Sequence, residues 1–370
     1  MIQTLLVFLG DFIAGLGYGW VSPTLGLLQD TANAGDLSLT SDQSSWIASL
    51  HDFGRLIGTL VVSQVLNFVG RNSVIVTSSL TFLITWILIA FTRSVTIIYV
   101  ARLIFGFAVG FFDVTCAIYL CENFKPSFRC AFGSITVACF FGGYVIEFCL
   151  VNYLTYDAVA YTNCAVALLA LLSNFFAKES AEYLIPRRKE EQAWKNFRWL
   201  RGEKDVTADL VKEFEILKRH IENESKRTRT MAAYFSVPVY RRGIIMVVIL
   251  GSVTVATGFP PLSSFVSSTL TKEGLTPNEF TILFGAIMFT FTVFGSAVIE
   301  KVNRRTVLII SLLIITLMHT TSAALFYLQN RFHNIPHFTW WIFATITIYS
   351  VMYSAAVLPV FCAARGELLP

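Results

Sequence analysis

Six charged side chains sit inside long apolar stretches of this chain: Asp11, Asp52, Arg55, Arg102, Asp113 and Glu147. Such groups can form ion pairs, bind a proton or hold a cation. Each costs about 2.5–3.5 kcal/mol at a helix centre on insertion scales, which makes each a functional candidate. Asp52 and Arg55 stand one helical turn apart, a spacing that predicts a pair with each other. Asp113 lies one turn beyond Gly110. With Asp11 and Glu147 it could face a cavity and favour a cation or a proton, or each could cap a neighbouring polar group. A second set of charges marks the ends of the stretches: Arg71, Glu122, Arg129 and Glu179 early, then Glu300, Arg304, Arg305 and Glu367. Opposite charges at helix ends can latch two bundles in one state and part in another, the bistable contact that alternating access needs. They could also do no more than mark topology, since surface pairs contribute about 0–1 kcal/mol.

Other chemistry finds no footing. The five His are scattered, and no Ser/His/Asp or Cys/His arrangement stands out, so an enzyme is not expected. The seven Cys lie mostly in or beside apolar segments without zinc spacing and act as small apolar residues. No metal or cofactor is expected, and no filter or charge ring suggests a channel. Of 28 Lys and Arg, 16 lie between Lys178 and Arg242 among 11 acids. That mixture is a solvated surface and not a nucleic-acid patch.

The elements that must position these residues are ten apolar stretches, at about 3–27, 44–67, 72–92, 96–121, 131–155, 157–177, 240–267, 280–300, 305–328 and 339–364. Each is long enough to cross about 30 Å of hydrocarbon as a helix. The chain is 55% hydrophobic and 14% charged, against about 25% charged in soluble domains, so the bilayer is its expected surrounding. The first stretch lacks a basic start and contains Asp11, which speaks against a signal peptide. Arg71, Lys125, Arg129, Lys301, Arg304 and Arg305 all fall on one side, with the 178–242 block. The positive-inside rule puts that side and the N-terminus in the cytosol, where Asn223-Glu224-Ser225 stays unglycosylated. Thr40 and Gln43 have capping-box spacing ahead of Trp46. Within the block, 188–201 reads as a helix closed by Gly202. An amphipathic helix follows, carrying Val206, Leu210, Phe214, Leu217 and Ile221 on one face. The expected fold is thus all-α and membrane-embedded: a six-helix bundle over 1–177, a loop with short helices over 178–239, and four further helices over 240–370. The parts echo each other, with Gly70-Arg71 matched by Asn303-Arg304-Arg305, and Glu122 and Pro126 by Glu367 and Pro370, as in carriers built from two repeats.

Those residues resemble the major facilitator superfamily, and within it the sugar porter family, close to animal hexose and trehalose facilitators. The likeness runs along the whole chain. Its most specific stretch is Arg102, Gly106 and Gly110, then Tyr119, Glu122, Pro126, Arg129 and Gly133-Ser134. Glu179-Ser180 and the run from Lys189-Glu190-Glu191 to Leu200-Arg201-Gly202 extend it. The resemblance implies a major facilitator fold, with helices eleven and twelve to follow Pro370, and a latch role for the helix-end charges.

Departures from the family pattern are as informative. Asn67 stands where the loop after helix two carries an acid, and Lys178, Ala181 and Glu182 replace Pro, Pro and Arg. The positions implied to contact sugar fall at Val137, Thr254, Val255, Pro260, Met288 and Cys362. Stripping a hydroxyl of water without replacing its hydrogen bond costs about 1–3 kcal/mol, and Val, Pro and Met cannot replace it. Gly19-Trp20 is followed by Val21 where family symporters carry a proton-binding acid, which favours passive facilitation. Three readings follow. The first is a facilitative sugar or polyol carrier of the plasma membrane, with a small solute and the bilayer as its partners. The others are a carrier of another organic solute, cationic or more apolar, and a transport-deficient sensor or partner subunit.

Overall fold

The computed structural model describes residues 2–29, 39–124, 126–201, 207–225, 237–299, 302–332 and 336–362. All ten apolar stretches are helical. The first is α1 (Ile2–Gly19) and α2 (Val21–Gln29), bent at Trp20. Five unbroken helices follow: α3 (Ser41–Phe68), α4 (Arg71–Phe91), α5 (Val95–Asn123), α6 (Pro126–Tyr153) and α7 (Tyr156–Phe175). The charged block forms α8 (Ala181–Leu184), α9 (Glu190–Arg201) and α10 (Ala208–Ser225). The rest is α11 (Pro238–Ala256), α12 (Phe259–Thr269), α13 (Pro277–Ile299), α14 (Arg304–Phe332) and α15 (Phe338–Met352), with a π-turn over Tyr353–Val357. Eight of the described helical spans are long and apolar enough to cross a membrane. α3, which is not among them, carries Asp42, His51, Asp52 and Arg55.

Local sequence explains where these helices begin. Thr40 and Gln43 close a reciprocal capping box at the start of α3. Thr276 and Glu279 do the same for α13. Each box satisfies two backbone donors that a helix start leaves free.

Between membrane helices there is little hydrophobic drive, so close backbone approach carries the packing. Gly54 and Gly58 on α3 interleave with Gly106 and Gly110 on α5. A β-carbon at Gly106 would overlap the His51 carbonyl, and one at Gly54 the Leu103 carbonyl. α1 meets α6 and α4 meets both α5 and α7, which completes the first six spans. Leu80, Ile84 and Ile87 on α4 and Leu168, Leu169 and Leu172 on α7 are exposed. Apolar surface of that extent suits a hydrocarbon surrounding.

The first six spans meet the later ones along α6 against α13 and α2 against α12. α8, α9 and α10 enclose a small core of their own, in which Leu210 and Phe214 pack on Ala193, Phe197, Leu184 and Ile185. The predicted amphipathic face is therefore present, although Val206 and Gly202 lie outside the described residues.

Candidate functional site

Arg55 does not pair with Asp52. Its guanidinium reaches Asp113 on α5 at 2.5 Å, while Asp52 stays exposed. The glycine ladder is the reason. A β-carbon at Gly110 would overlap the Arg55 carbonyl, so the backbones are close enough for Arg55 to reach the carboxylate one turn further along α5. Asp113, already paired with a cation, is a poor candidate for holding a cationic solute.

Arg102 is buried and turned inward. It donates to the Gly17 carbonyl at 2.7 Å and toward the Ile47 carbonyl at 3.4 Å, with the Trp20 ring 5.7 Å away. Gly17 lies in the last turn of α1, where carbonyls lose their helical donors, so Arg102 caps the bend at Trp20. Asp11 is buried against the Cys116 thiol at 3.8 Å. Glu147 is fully buried and accepts the Asn163 side-chain N–H at 2.8 Å. The other Glu147 oxygen and the Asn163 carbonyl oxygen have no hydrogen-bond partner.

The six positions implied to contact solute do not form one polar wall. Val137 and Met288 are buried in the seam between the two groups of spans, and Cys362 packs at its edge. Thr254 turns its hydroxyl onto the Gly251 carbonyl at 2.7 Å. The Pro260 carbonyl accepts from Ser263 and Ser264. Val255 is 66% exposed and lies apart from the seam.

Aromatic residues that sequence reasoning passed over make up most of the seam. Tyr18 on α1, Phe141, Tyr144 and Phe148 on α6, Phe259 on α12, Phe284 on α13 and Tyr353 form one buried cluster. Phe259 and Tyr353 stack at 4.3 Å and 10°. Tyr144 donates to the Ser263 carbonyl at 3.3 Å, and the Ser263 hydroxyl meets Tyr18 at 3.5 Å. His51 closes on Tyr18 with ring centroids 5.6 Å apart. Flat apolar faces edged with hydroxyls and an imidazole can hold a ring-shaped solute and still hydrogen-bond its rim. The available signal was Tyr and His within apolar spans, which charge-based reading does not weigh.

At the end that bears α8–α10, Arg71 grips Glu122 through two nitrogens, at 2.7 and 3.0 Å. Glu179 accepts the Asn72 backbone N–H at 3.2 Å and caps α4 from a distance. Burial pushes the Glu179 carboxyl above its usual range, against the pull of these donors and of Arg71. Tyr183 stacks beneath Arg187 at 3.7 Å, with Arg71 at 5.4 Å. Arg201 reaches the Asn123 carbonyl at 3.1 Å and Glu213 at 2.7 Å. The described contacts of Arg71, Glu122 and Glu179 thus tie α4, α5 and the segment after α7 to one another. Arg304 opens α14, and the Arg305 backbone N–H is capped by Asn303 at 3.1 Å. Glu300, Glu367 and the Arg129 side chain lie outside the described residues.

Residues 3–370 match the family model described as sugar (and other) transporter. The chain belongs to that family. It is a multi-pass membrane transporter with the major facilitator fold. The facilitated trehalose transporter Tret1 of Polypedilum vanderplanki is 26% identical over 377 residues, covering 100% of this chain and 73% of that protein. Tret1 of Aedes aegypti is 27% identical, with 46% of its length covered. Among solved structures, the proton:xylose symporter XylE bound to 6-bromo-6-deoxy-D-glucose superposes with a TM-score of 0.80 at 20% identity, covering 100% of this chain and 82% of that one. The human organic anion transporter MFSD10 gives 0.56 at 15% identity. These likenesses to solved structures speak to the fold.

Proposed function

We propose that the chain carries a sugar across the plasma membrane by facilitated alternating access, with a disaccharide such as trehalose or a hexose as solute. The observation that carries this reading is the match of the sugar transporter family over residues 3–370. The seam supports it, because Tyr18, Tyr144, Phe259 and Tyr353 offer ring faces and hydroxyls where the expected amide side chains are absent. Val21 after Gly19-Trp20 favours passive movement over proton coupling. In this reading residues 1–177 and 240–370 are the two moving parts, and 178–239 is a cytosolic loop. The Arg71–Glu122 pair and Glu179 then brace the cytosolic end of the first part. α2 and α12 meet at the opposite, outer end, where Ser267 donates to Ser22 through both its backbone N–H, at 3.0 Å, and its hydroxyl, at 3.1 Å.

Proteoliposomes loaded with unlabelled sugar and given labelled trehalose, glucose or xylose outside provide the test. Saturable counterflow of at least one of them, insensitive to collapse of a proton gradient, is the expected result. Counterflow no faster than in protein-free liposomes for all three would reject sugar transport. Accumulation driven by an imposed proton gradient would reject the passive mechanism.

A further inference from the structure

The seventh span breaks between α11 and α12, and its sequence takes the helical donors from two backbone acceptors. In an unbroken helix the Ala256 and Thr257 carbonyls would accept from residues 260 and 261, but both are proline and have no N–H. Gly258 then takes a left-handed conformation, φ +80°, and starts a new helix. A buried carbonyl without a partner is rare in native structures. Here two side chains from neighbouring helices supply one. His319 on α14 places Nε2 at 2.9 Å from the Thr257 oxygen, and the Tyr349 hydroxyl on α15 donates to the same oxygen at 3.0 Å. A carbonyl can only accept, so Nε2 carries the proton. The two rings lie 4.5 Å apart. One turn along, Tyr353 stacks on Phe259, the first residue of α12. α15 and the π-turn that follows it therefore grip the break on both sides.

We propose that His319 and Tyr349 are positioning residues of the transport cycle: by holding the Thr257 carbonyl they fix the direction of α12 and keep it closed against α2. From Gly258 to Ser267 α12 runs roughly 13 Å and bends at Phe265, where φ is −122°, so a rotation at the break shifts the Ser267–Ser22 contact. Loss of either donor loosens the break, and the closed end opens more often. The proposal rests on the transport reading, but its test needs no solute, so failure of one is distinguishable from failure of the other.

The test follows a reporter cysteine at Ser264, which is buried on α12 and turns its hydroxyl onto the Pro260 carbonyl of the same helix. Ser264→Cys protein in proteoliposomes is treated from outside with a membrane-impermeant thiol reagent, with the parent bearing only native cysteines as baseline. Combining the reporter with His319→Leu or with Tyr349→Phe should raise its labelling rate roughly fivefold, the factor that corresponds to one neutral hydrogen bond of about 1 kcal/mol. His319→Gln, which retains a side-chain N–H, should return the rate toward that of the parent. A role limited to stability would instead lower the Tm of all three variants without changing the labelling of folded protein. Unchanged labelling in Tyr349→Phe overturns the proposal, and that nearly isosteric variant decides the matter alone if His319→Leu does not fold.

Discussion

Arg102 shows how one side chain can hold a bend in a membrane helix. It has no carboxylate partner among its described hydrogen bonds; instead its fork spans the Gly17 and Ile47 carbonyls on two different helices. Lysine brings one ammonium and cannot span both in the same geometry. Arg102→Lys should therefore cost about 2 kcal/mol, within the range for hydrogen bonds to charged groups, read as a fall in Tm of the purified protein. An unchanged Tm would mean that the Trp20 bend holds itself. The residue scale is also where sequence reading was least complete. The i, i+3 spacing of Asp52 and Arg55 pointed to a local pair, yet a partner 58 residues away is closer. No sequence spacing carries that information, because the partner is chosen by how nearly two backbones approach. The aromatic seam was hidden for a different reason: with 33 Phe and 13 Tyr spread along the chain, those that meet between the two groups of spans look like those that face lipid.

Elements were far more legible. Ten stretches of the right length and apolarity all proved helical, and the capping box at Thr40 sits where its spacing put it. The break in the seventh span could also have been read from Gly258-Phe259-Pro260-Pro261, a run that cannot continue a helix. The α3–α5 ladder makes a sharp prediction at this scale. Gly106→Val should abolish accumulation of folded protein, since the branched side chain drives α5 off the His51 carbonyl. Gly133→Ala, with nothing within 4 Å of the added carbon, should be neutral; detergent gel filtration of the two variants compares them directly. Glu179 offers a test against pH at the end of the same bundle. Burial raises its folded pKa above the unfolded value, so its contribution to stability is fully present below the unfolded pKa, near 4.5, and is lost as pH rises through the folded value. Glu179→Gln removes that titration. The wild type should gain Tm relative to the variant as pH falls from neutral toward about 4.5, and a constant difference in Tm across that window would exclude the effect.

At the scale of the whole molecule, the first six spans are braced by the glycine ladder, by Arg102 and by the Arg71–Glu122 and Glu179 contacts, which favours their moving as one body. The seam against the later spans is built differently, from ring faces and a few hydroxyls. If the solute is to leave by the end now closed, Phe141, Phe259 and their neighbours must be wetted at every turnover. Wetting apolar surface raises heat capacity, so the barrier to opening should itself change with temperature. Maximal counterflow plotted in Eyring form should curve, with an apparent activation enthalpy that increases on warming, even in a bilayer with no phase transition in the range. A straight plot would mean that the rings stay dry and slide past one another. A curved one would tie the pace of this carrier to temperature through the ring faces of its seam.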